Sequence, residues 1–269
     1  MTNSKFSPVK VTTALLSLLI TGTSMAADYR TSDGIAPGDS NSKWLLGATA
    51  GGYENLVVGE ESDNEGFLNI NFEYRGEKFF VAKDEIGYNL WRDNGFSAGV
   101  ALSGKDTFLY DKEAYDDNQV IAHLEERDPT LDLGFYLIHN SDLGQLRFRV
   151  LEEFTGEHDG RSVDASYTFD LNYSGFRINP YVAASYLTGG SVDYFFGVNE
   201  DEATADLAAY EGEAALNLTA GINARYDLSR HWELGFGASV TKLGDGIADS
   251  SLVKDDTMVI TGLTVNYNF

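Results

Sequence analysis

The chain has 269 residues, with 42 acidic and 19 basic side chains, a formal net charge of −23 and no cysteine. The lack of cysteine excludes disulfide-stapled folds, thiolate zinc sites and thiol nucleophiles. The acidic balance excludes sustained nucleic-acid binding, because phosphate would be repelled. Aromatic residues make up 13% of the chain, beside 28 glycines and only 4 prolines, and this composition favours β structure over disorder.

The N-terminus predicts export from the cytoplasm. Two lysines precede an apolar stretch over 11–20, and small residues then lead to a cleavage site after Ala26. The apolar stretch is too short for a membrane-spanning helix. We therefore expect a signal peptide over 1–26, a flexible, polar periplasmic segment over 27–43 and one domain over 44–269.

Three later windows alternate strictly between apolar and polar residues. Over 162–173, 216–226 and 232–241 every second residue is apolar, which is the period of a β-strand with one apolar face. Such runs are close to the ~9–11 residues that a tilted membrane-spanning strand needs. The windows therefore predict an all-β domain.

Aromatic residues indicate that the apolar faces meet lipid. Pairs lie where predicted strands meet short turns, as in an interfacial girdle: Tyr74 and Phe79, Trp91 and Phe96, Tyr173 and Phe176, Tyr226 and Trp232. The last strand ends on Tyr267 and the terminal Phe269, which looks like the signal read by the outer-membrane barrel assembly machinery. These features favour a transmembrane barrel over a soluble sandwich or lipocalin-like barrel.

Twelve candidate strands can be placed, an even number, as a closed antiparallel up-and-down barrel with both termini in the periplasm requires. They lie at roughly 44–54, 66–75, 78–83, 85–91, 95–104, 130–139, 143–154, 162–172, 175–187, 211–226, 231–242 and 256–269. The long links, at 55–65, 105–129, 188–210 and 243–255, all fall on the extracellular side. The division of 78–91 into two strands is the weakest point, so a ten-stranded barrel stays open.

The long loops are rich in acidic residues, above all 54–65 and 105–129. One interpretation is the capture of divalent cations near the phosphates of lipopolysaccharide, because hard cations take oxygen ligands. The other is a solvated, mobile loop. We favour the second, because the loops lack the residue spacing of a calcium-binding loop.

The polar strand faces predict a charged lumen. Its residues are Arg75, Arg147, Arg149, Arg177 and Arg225, facing Glu73, Asp132, Asp164, Asp170 and Glu233. Charges in a narrow interior tend to pair, so this network would close the lumen. The alternative is a polar pore whose charges filter solutes. The sequence leaves both open.

Catalytic and metal-binding motifs are weak. The segment 99–105 matches most of a phosphate-binding loop, but Asp106 replaces the required serine or threonine. The four histidines are scattered, without a pair spaced for a metal. We expect no enzyme, and hence no catalytic residue, cofactor or bound metal.

Several segments together resemble the MipA/OmpV family. They are 74–80, 87–90, 93–97, 178–182, 193–198, 243–250 and the closing 267–269, and the resemblance spans about 44–269. The chain departs from the family pattern near 249–251, where a proline is expected after the serine. The resemblance implies a β-barrel in the outer membrane of a Gram-negative bacterium, without agreed catalytic residues.

The resemblance also implies partners. One branch, the MltA-interacting protein, is described as a scaffold that joins a lytic transglycosylase to a bifunctional murein synthase. Another is known as an immunogenic outer-membrane protein with suggested roles in permeability or host contact. We therefore expect a scaffold for peptidoglycan-remodelling enzymes, with a small cation-preferring diffusion channel or a surface antigen or adhesin as alternatives. Outer-membrane lipid, lipopolysaccharide and the barrel assembly machinery complete the expected partners.

Overall fold

The computed structural model describes residues 43–60, 64–82, 85–105, 109 and 115–269. The predicted signal peptide, its cleavage at Ala26 and nearly all of the 27–43 segment lie outside these residues and stay predictions. No helix in the described part of the chain is long and apolar enough to cross a membrane. The domain is one antiparallel sheet that closes on itself, because its last strand pairs with its first.

Among the described residues, the sheet contains thirteen strand segments and the loops carry two helices. They are β1 (Lys43–Glu54), β2 (Asn64–Arg75), β3 (Phe79–Ala82), β4 (Glu85–Asp93), β5 (Phe96–Lys105), β6 (Thr130–Ser141), β7 (Gly144–Glu153), β8 (Arg161–Phe169), β9 (Leu171–Tyr173), β10 (Phe176–Leu187), α1 (Gly189–Phe196), β11 (Ala215–Asp227), β12 (Trp232–Lys242), α2 (Asp245–Ala248) and β13 (Thr257–Asn268). Because β8 and β9 are two pieces of one strand, the barrel has twelve strands, as predicted. The ten-stranded alternative is wrong, since β3 and β4 pair as separate strands.

The interruption between β8 and β9 has a local cause. Its residues lie opposite Asn179 and Pro180 of β10, and proline has no N–H to donate to the ladder. The Asn179 amide donates instead to the Phe169 carbonyl oxygen at 3.0 Å and to the Asp170 carboxylate at 2.7 Å. A side chain thus replaces the missing backbone hydrogen bond.

Burial alternates along the strands in the sense expected of a membrane barrel. On β7, Leu146, Phe148 and Val150 are exposed, whereas Arg147 and Arg149 are buried. In a closed barrel the buried set faces the lumen and the exposed set faces outward. An apolar exterior around a charged interior is the reverse of a soluble barrel.

The two ends of the barrel differ. β1 begins and β13 ends at the end of the barrel that carries the short turns. Asn94 and Gly95, with φ of 47° and 82°, and Ser174 and Gly175, with φ of 50° and 84°, form two of these turns. Positive φ at both central residues is the type I′ geometry that fits twisted antiparallel strands. The long loops, with α1 and α2, lie at the other end.

Aromatic rings surround the short-turn end. Neighbouring rings lie 4.4 to 5.1 Å apart in the pairs Trp44–Tyr74, Tyr74–Phe79, Phe176–Tyr226, Trp232–Tyr267 and Tyr267–Phe269. A register shift in β4 between Asn89 and Trp91 leaves both Leu90 and Trp91 facing outward. This band is the girdle that the sequence predicts. The role of Tyr267 and Phe269 in assembly stays a prediction.

Candidate functional site: the capped lumen

A buried ion-pair network lies on the inner face of β4, β7 and β8. Glu85 accepts hydrogen bonds from Arg147 and, at 2.5 Å, from Arg149. Arg149 also donates to Asp164 at 3.0 Å, and the Ser185 hydroxyl donates to the same carboxylate at 2.6 Å. The side chains of Glu85, Arg147 and Arg149 are at most 4% exposed, so they fill this part of the lumen.

A second buried pair lies nearer the long-loop end. Lys105 of β5 forms an ion pair with Asp132 of β6, and its ammonium donates to the Ser162 hydroxyl of β8 at 3.3 Å. Both charged side chains are at most 2% exposed. Since each charge has a buried partner, the cost of removing it from water is partly offset.

The charges near the short-turn end differ in burial: Glu233 is 1% exposed, whereas the Arg75 and Arg177 side chains are 19% exposed. Arg177 donates to Glu233 at 2.5 Å and to Asp227 at 2.7 Å, and the Asn266 amide donates to Glu233 at 3.0 Å. Arg225 lies beside Arg177 in the ladder between β10 and β11. Arg75 pairs with Glu73 on the same strand.

The ten lumen residues predicted from the sequence therefore fall into three groups. Arg147, Arg149 and Asp164 share one network, Asp132 pairs with Lys105, and the other six lie near the short-turn end: Glu73, Arg75, Asp170, Arg177, Arg225 and Glu233. Glu85 and Lys105 are absent from the prediction. Strand alternation could have found Glu85, because it shares a face with Gly87 and lies opposite in parity to the exposed Ile86.

Apolar and aromatic side chains complete this inner wall. The cluster consists of Phe80, Ala82, Ala101, Tyr136, Ile138 and Leu151, all buried. A twelve-stranded barrel is wider than the ~8-stranded barrels that side chains just fill, so long side chains are needed here. We call the inner face of β3 to β8 the filled wall.

The inner face of β11 to β13, β1 and β2 carries smaller, uncharged residues over much of its length. Thr49 and Thr264 share a hydrogen bond of 2.8 Å, and the Asn71 amide donates to Thr49 at 2.7 Å. Several of its residues are glycines, and most of its mid-barrel positions are partly exposed although they face the lumen. We call this face the polar wall.

The long loops fold over the lumen. One apolar cluster is built around α1 and contains Leu56, Leu187, Val192, Phe195, Phe196, Ala215, Leu243, Ile247 and Met258. A second joins the β5–β6, β10–β11 and β12–β13 loops and contains Leu109, Tyr115, Ile121, Leu124, Val198, Leu207 and Leu252. Loops that start on opposite sides of a closed barrel can share a core only by crossing its mouth. We call the two clusters and their loops the cap.

A buried ion pair joins two loops of the cap. Arg127 donates to both carboxylate oxygens of Glu202, at 3.1 and 3.0 Å. Burial raises the pKa of the Glu202 carboxyl, but hydrogen bonds from Arg127 and from the backbone N–H of Asn199 and Glu125 outweigh it and hold that pKa below 4.5. The pair is therefore charged at neutral pH and fixes the two loops together.

The cap corrects two expectations. The expected mobile, solvated loop over 105–129 is wrong for its described residues, because Leu109, Ile121 and Leu124 are 0% exposed. The strand expected at 211–226 begins only at Ala215, since Gly212 belongs to the cap and donates to Asp193 at 2.7 Å. Among the described residues no three histidine or acidic side chains are grouped to hold a metal.

Comparison with known proteins places this barrel in a family. The family model described as MltA-interacting protein MipA matches residues 46–269. The chain belongs to this family. This MipA family member is an outer-membrane β-barrel protein of a Gram-negative bacterium, as its sequence predicts.

Three relatives illustrate the range of the family. Outer membrane protein Omp26La of Vibrio anguillarum and outer membrane protein OmpV of Vibrio cholerae are each 24% identical, over 97% of this chain and 99% of the relative. The MltA-interacting protein of Escherichia coli is 24% identical over 89% of this chain and 94% of the relative. Each relative aligns with nearly the whole chain.

Proposed function

We propose that this MipA family member is a non-conducting, non-enzymatic scaffold that holds a peptidoglycan-remodelling enzyme at the periplasmic face of the outer membrane. The name of the Escherichia coli relative says that it interacts with MltA, and this supports a protein partner. A lytic transglycosylase is the class of enzyme that we expect, with a murein synthase as a further partner.

The observation that carries the non-conducting part is the cap. Two apolar clusters with buried centres cross the long-loop mouth, and ions do not pass through packed apolar side chains. Below the cap, the filled wall carries charged groups that are almost fully buried. In a lumen arranged in this way, the charges stabilise the barrel and do not select permeating ions.

The orientation follows from the two ends. Outer-membrane barrels place short turns in the periplasm and long loops outside the cell. We therefore infer that the short-turn end, and with it the segment over 27–43, is on the periplasmic side. The segment is the longest periplasmic stretch available to a partner, and signal cleavage after Ala26 would leave it attached to the barrel.

One observation favours the alternative of a small diffusion channel. The polar wall contains partly exposed inward-facing residues such as Asn69, Asn71 and Ser239, so water reaches part of the lumen. Conduction along this wall would require the cap to move. We therefore place the channel second.

Binding to a purified lytic transglycosylase tests the scaffold. The refolded mature chain should bind, and deletion of 27–42 should weaken binding by about tenfold or more, equivalent to ~1.4 kcal/mol. The matched control is Arg127→Lys in the cap, which should bind as the parent does. Unchanged binding after the deletion would refute docking through this segment, and the absence of binding by the intact chain would refute the scaffold.

A further inference from the structure

His158 lies between the charged lumen and the apolar part of the cap. It belongs to the 154–160 loop that joins β7 to β8 at the long-loop end. Its ring centroid is 4.9 Å from that of Tyr194 and 5.3 Å from that of Phe195, both on α1. Phe195 is at the centre of the α1 cluster, with 0% exposure. The imidazole therefore connects the wall of the barrel with the cap.

The hydrogen bonds of His158 define which nitrogen is free of a proton. The backbone N–H of Gly160 donates to Nδ1 at 2.9 Å, so Nδ1 is an acceptor and the neutral ring carries its proton on Nε2. Nε2 is buried and has no hydrogen-bond partner among the described residues. A second proton would have to bind Nδ1, and this would break the bond from Gly160.

Glu153 of β7 also holds this loop in place. The Glu153 carboxylate accepts hydrogen bonds from the backbone N–H of Gly156 at 3.0 Å and of His158 at 3.4 Å. The Gly160 carbonyl in turn accepts from the Glu153 N–H at 3.0 Å. The turn before β8 is thus fixed by Glu153 on one side and by the His158 ring on the other.

Charged and titratable groups face His158 from every neighbouring element. They are Lys105 on β5, Asp132 on β6, Glu153 on β7, Asp159 in its own loop and Tyr194 on α1. Burial is the strongest influence and lowers the pKa of the imidazole below 6.5; the Lys105 ammonium acts in the same direction and the carboxylates oppose it. The ring is therefore neutral at pH 7.5.

We propose that His158 is an acid-sensitive latch: its neutral ring holds the β7–β8 loop and α1 over the long-loop mouth, and protonation of Nδ1 releases both. Protonation costs the bond from Gly160 and places a cation beneath the apolar α1 cluster. Stabilisation of the cap is complete above pH 6.5 and is lost as the pH falls through the lowered pKa of the closed state. The proposal concerns the cap alone and does not depend on a partner.

Hydrogen exchange of α1 in the refolded mature protein tests the latch. Between pH 7.5 and pH 5.0, with intrinsic exchange rates corrected for pH, protection of Gly189–Phe196 should fall by about tenfold or more. The strands at the short-turn end should keep their protection. Unchanged protection of α1 in the parent protein would overturn the proposal without any variant.

Two variants sharpen the test. His158→Gln cannot titrate, so its α1 should exchange equally at the two pH values, whereas His123→Gln, in another loop of the cap, should behave as the parent does. An equal acid effect in His158→Gln would contradict the role of this histidine.

Discussion

The filled wall and the polar wall show two ways of building the inner face of one barrel. The filled wall places arginine, glutamate, tyrosine and phenylalanine side chains in the lumen, and nearly all of them are buried. The polar wall places glycine, asparagine and threonine there, and many of these are partly exposed. A barrel too wide to be filled evenly is thus filled mainly from one side.

This difference indicates that the stability of the two walls depends on different interactions. On the filled wall each charge is removed from water and depends on its partner, so the loss of one group leaves another unpaired. On the polar wall a hydroxyl or amide that loses its partner can bind water instead. Equivalent changes should therefore be costly on one wall and mild on the other.

The largest effect is expected for Glu85→Gln. The change leaves Arg147 and Arg149 without their shared buried carboxylate, and we expect it to lower the free energy of unfolding by about 3–5 kcal/mol. Urea unfolding of the refolded barrel in lipid vesicles measures it. The control is Glu152→Gln, whose pair with Arg161 is exposed and should contribute nothing measurable. Equal stability of the Glu85 variant and the parent would contradict the claim that the filled wall depends on its buried ion pairs.

An intermediate effect is expected for Gly87→Ala on the filled wall. A Cβ atom at 87 would lie 1.9 Å from the Phe80 ring, which is buried in its cluster and cannot move freely. Overpacking of this kind costs about 1–3 kcal/mol. On the polar wall, Gly235→Ala would meet Thr264, with the side-chain Cβ at 3.3 Å and the carbonyl oxygen at 3.9 Å, and should be nearly neutral. The same unfolding experiment compares the two, and similar values would show that the walls are packed alike.

The smallest effect is expected for Thr264→Val on the polar wall. The change removes the hydrogen bond with Thr49. We expect the free energy of unfolding to fall by at most ~0.5–1.5 kcal/mol, because Thr49 still accepts a hydrogen bond from Asn71 and can bind water. Thr264→Ser keeps the hydroxyl and serves as the control. Urea midpoints of the two variants and the parent provide the measurement. A decrease in the free energy of unfolding as large as that of Glu85→Gln would mean that water does not reach the polar wall.

Much of the barrel could be predicted from local patterns. The period of two identified the inward positions of Arg147 and Arg149, and the aromatic pairs located the girdle. The period of two could place Glu85 on the inner face but could not pair it with these arginines, because Glu85 lies three strands away and only the closed barrel brings them together.

The cap was beyond the reach of sequence patterns for a physical reason. Leu109, Ile121 and Leu124 are apolar residues scattered in an acidic loop, without the period of a helix or strand. Their burial depends on Val198 and Leu252, which come from loops on the far side of the barrel. Loop composition indicated solvation, whereas contacts between loops produce a packed core.

Single-channel conductance of the refolded mature protein tests the capped lumen most directly. The recording uses a planar bilayer at pH 7.5 with an asymmetric salt gradient, and heat-modifiable migration confirms that the inserted barrel is folded. We expect a silent bilayer, because the cap crosses the long-loop mouth and the filled wall excludes water. Stable, cation-selective steps from the folded protein would contradict this structure of the lumen and would make a diffusion channel the leading function.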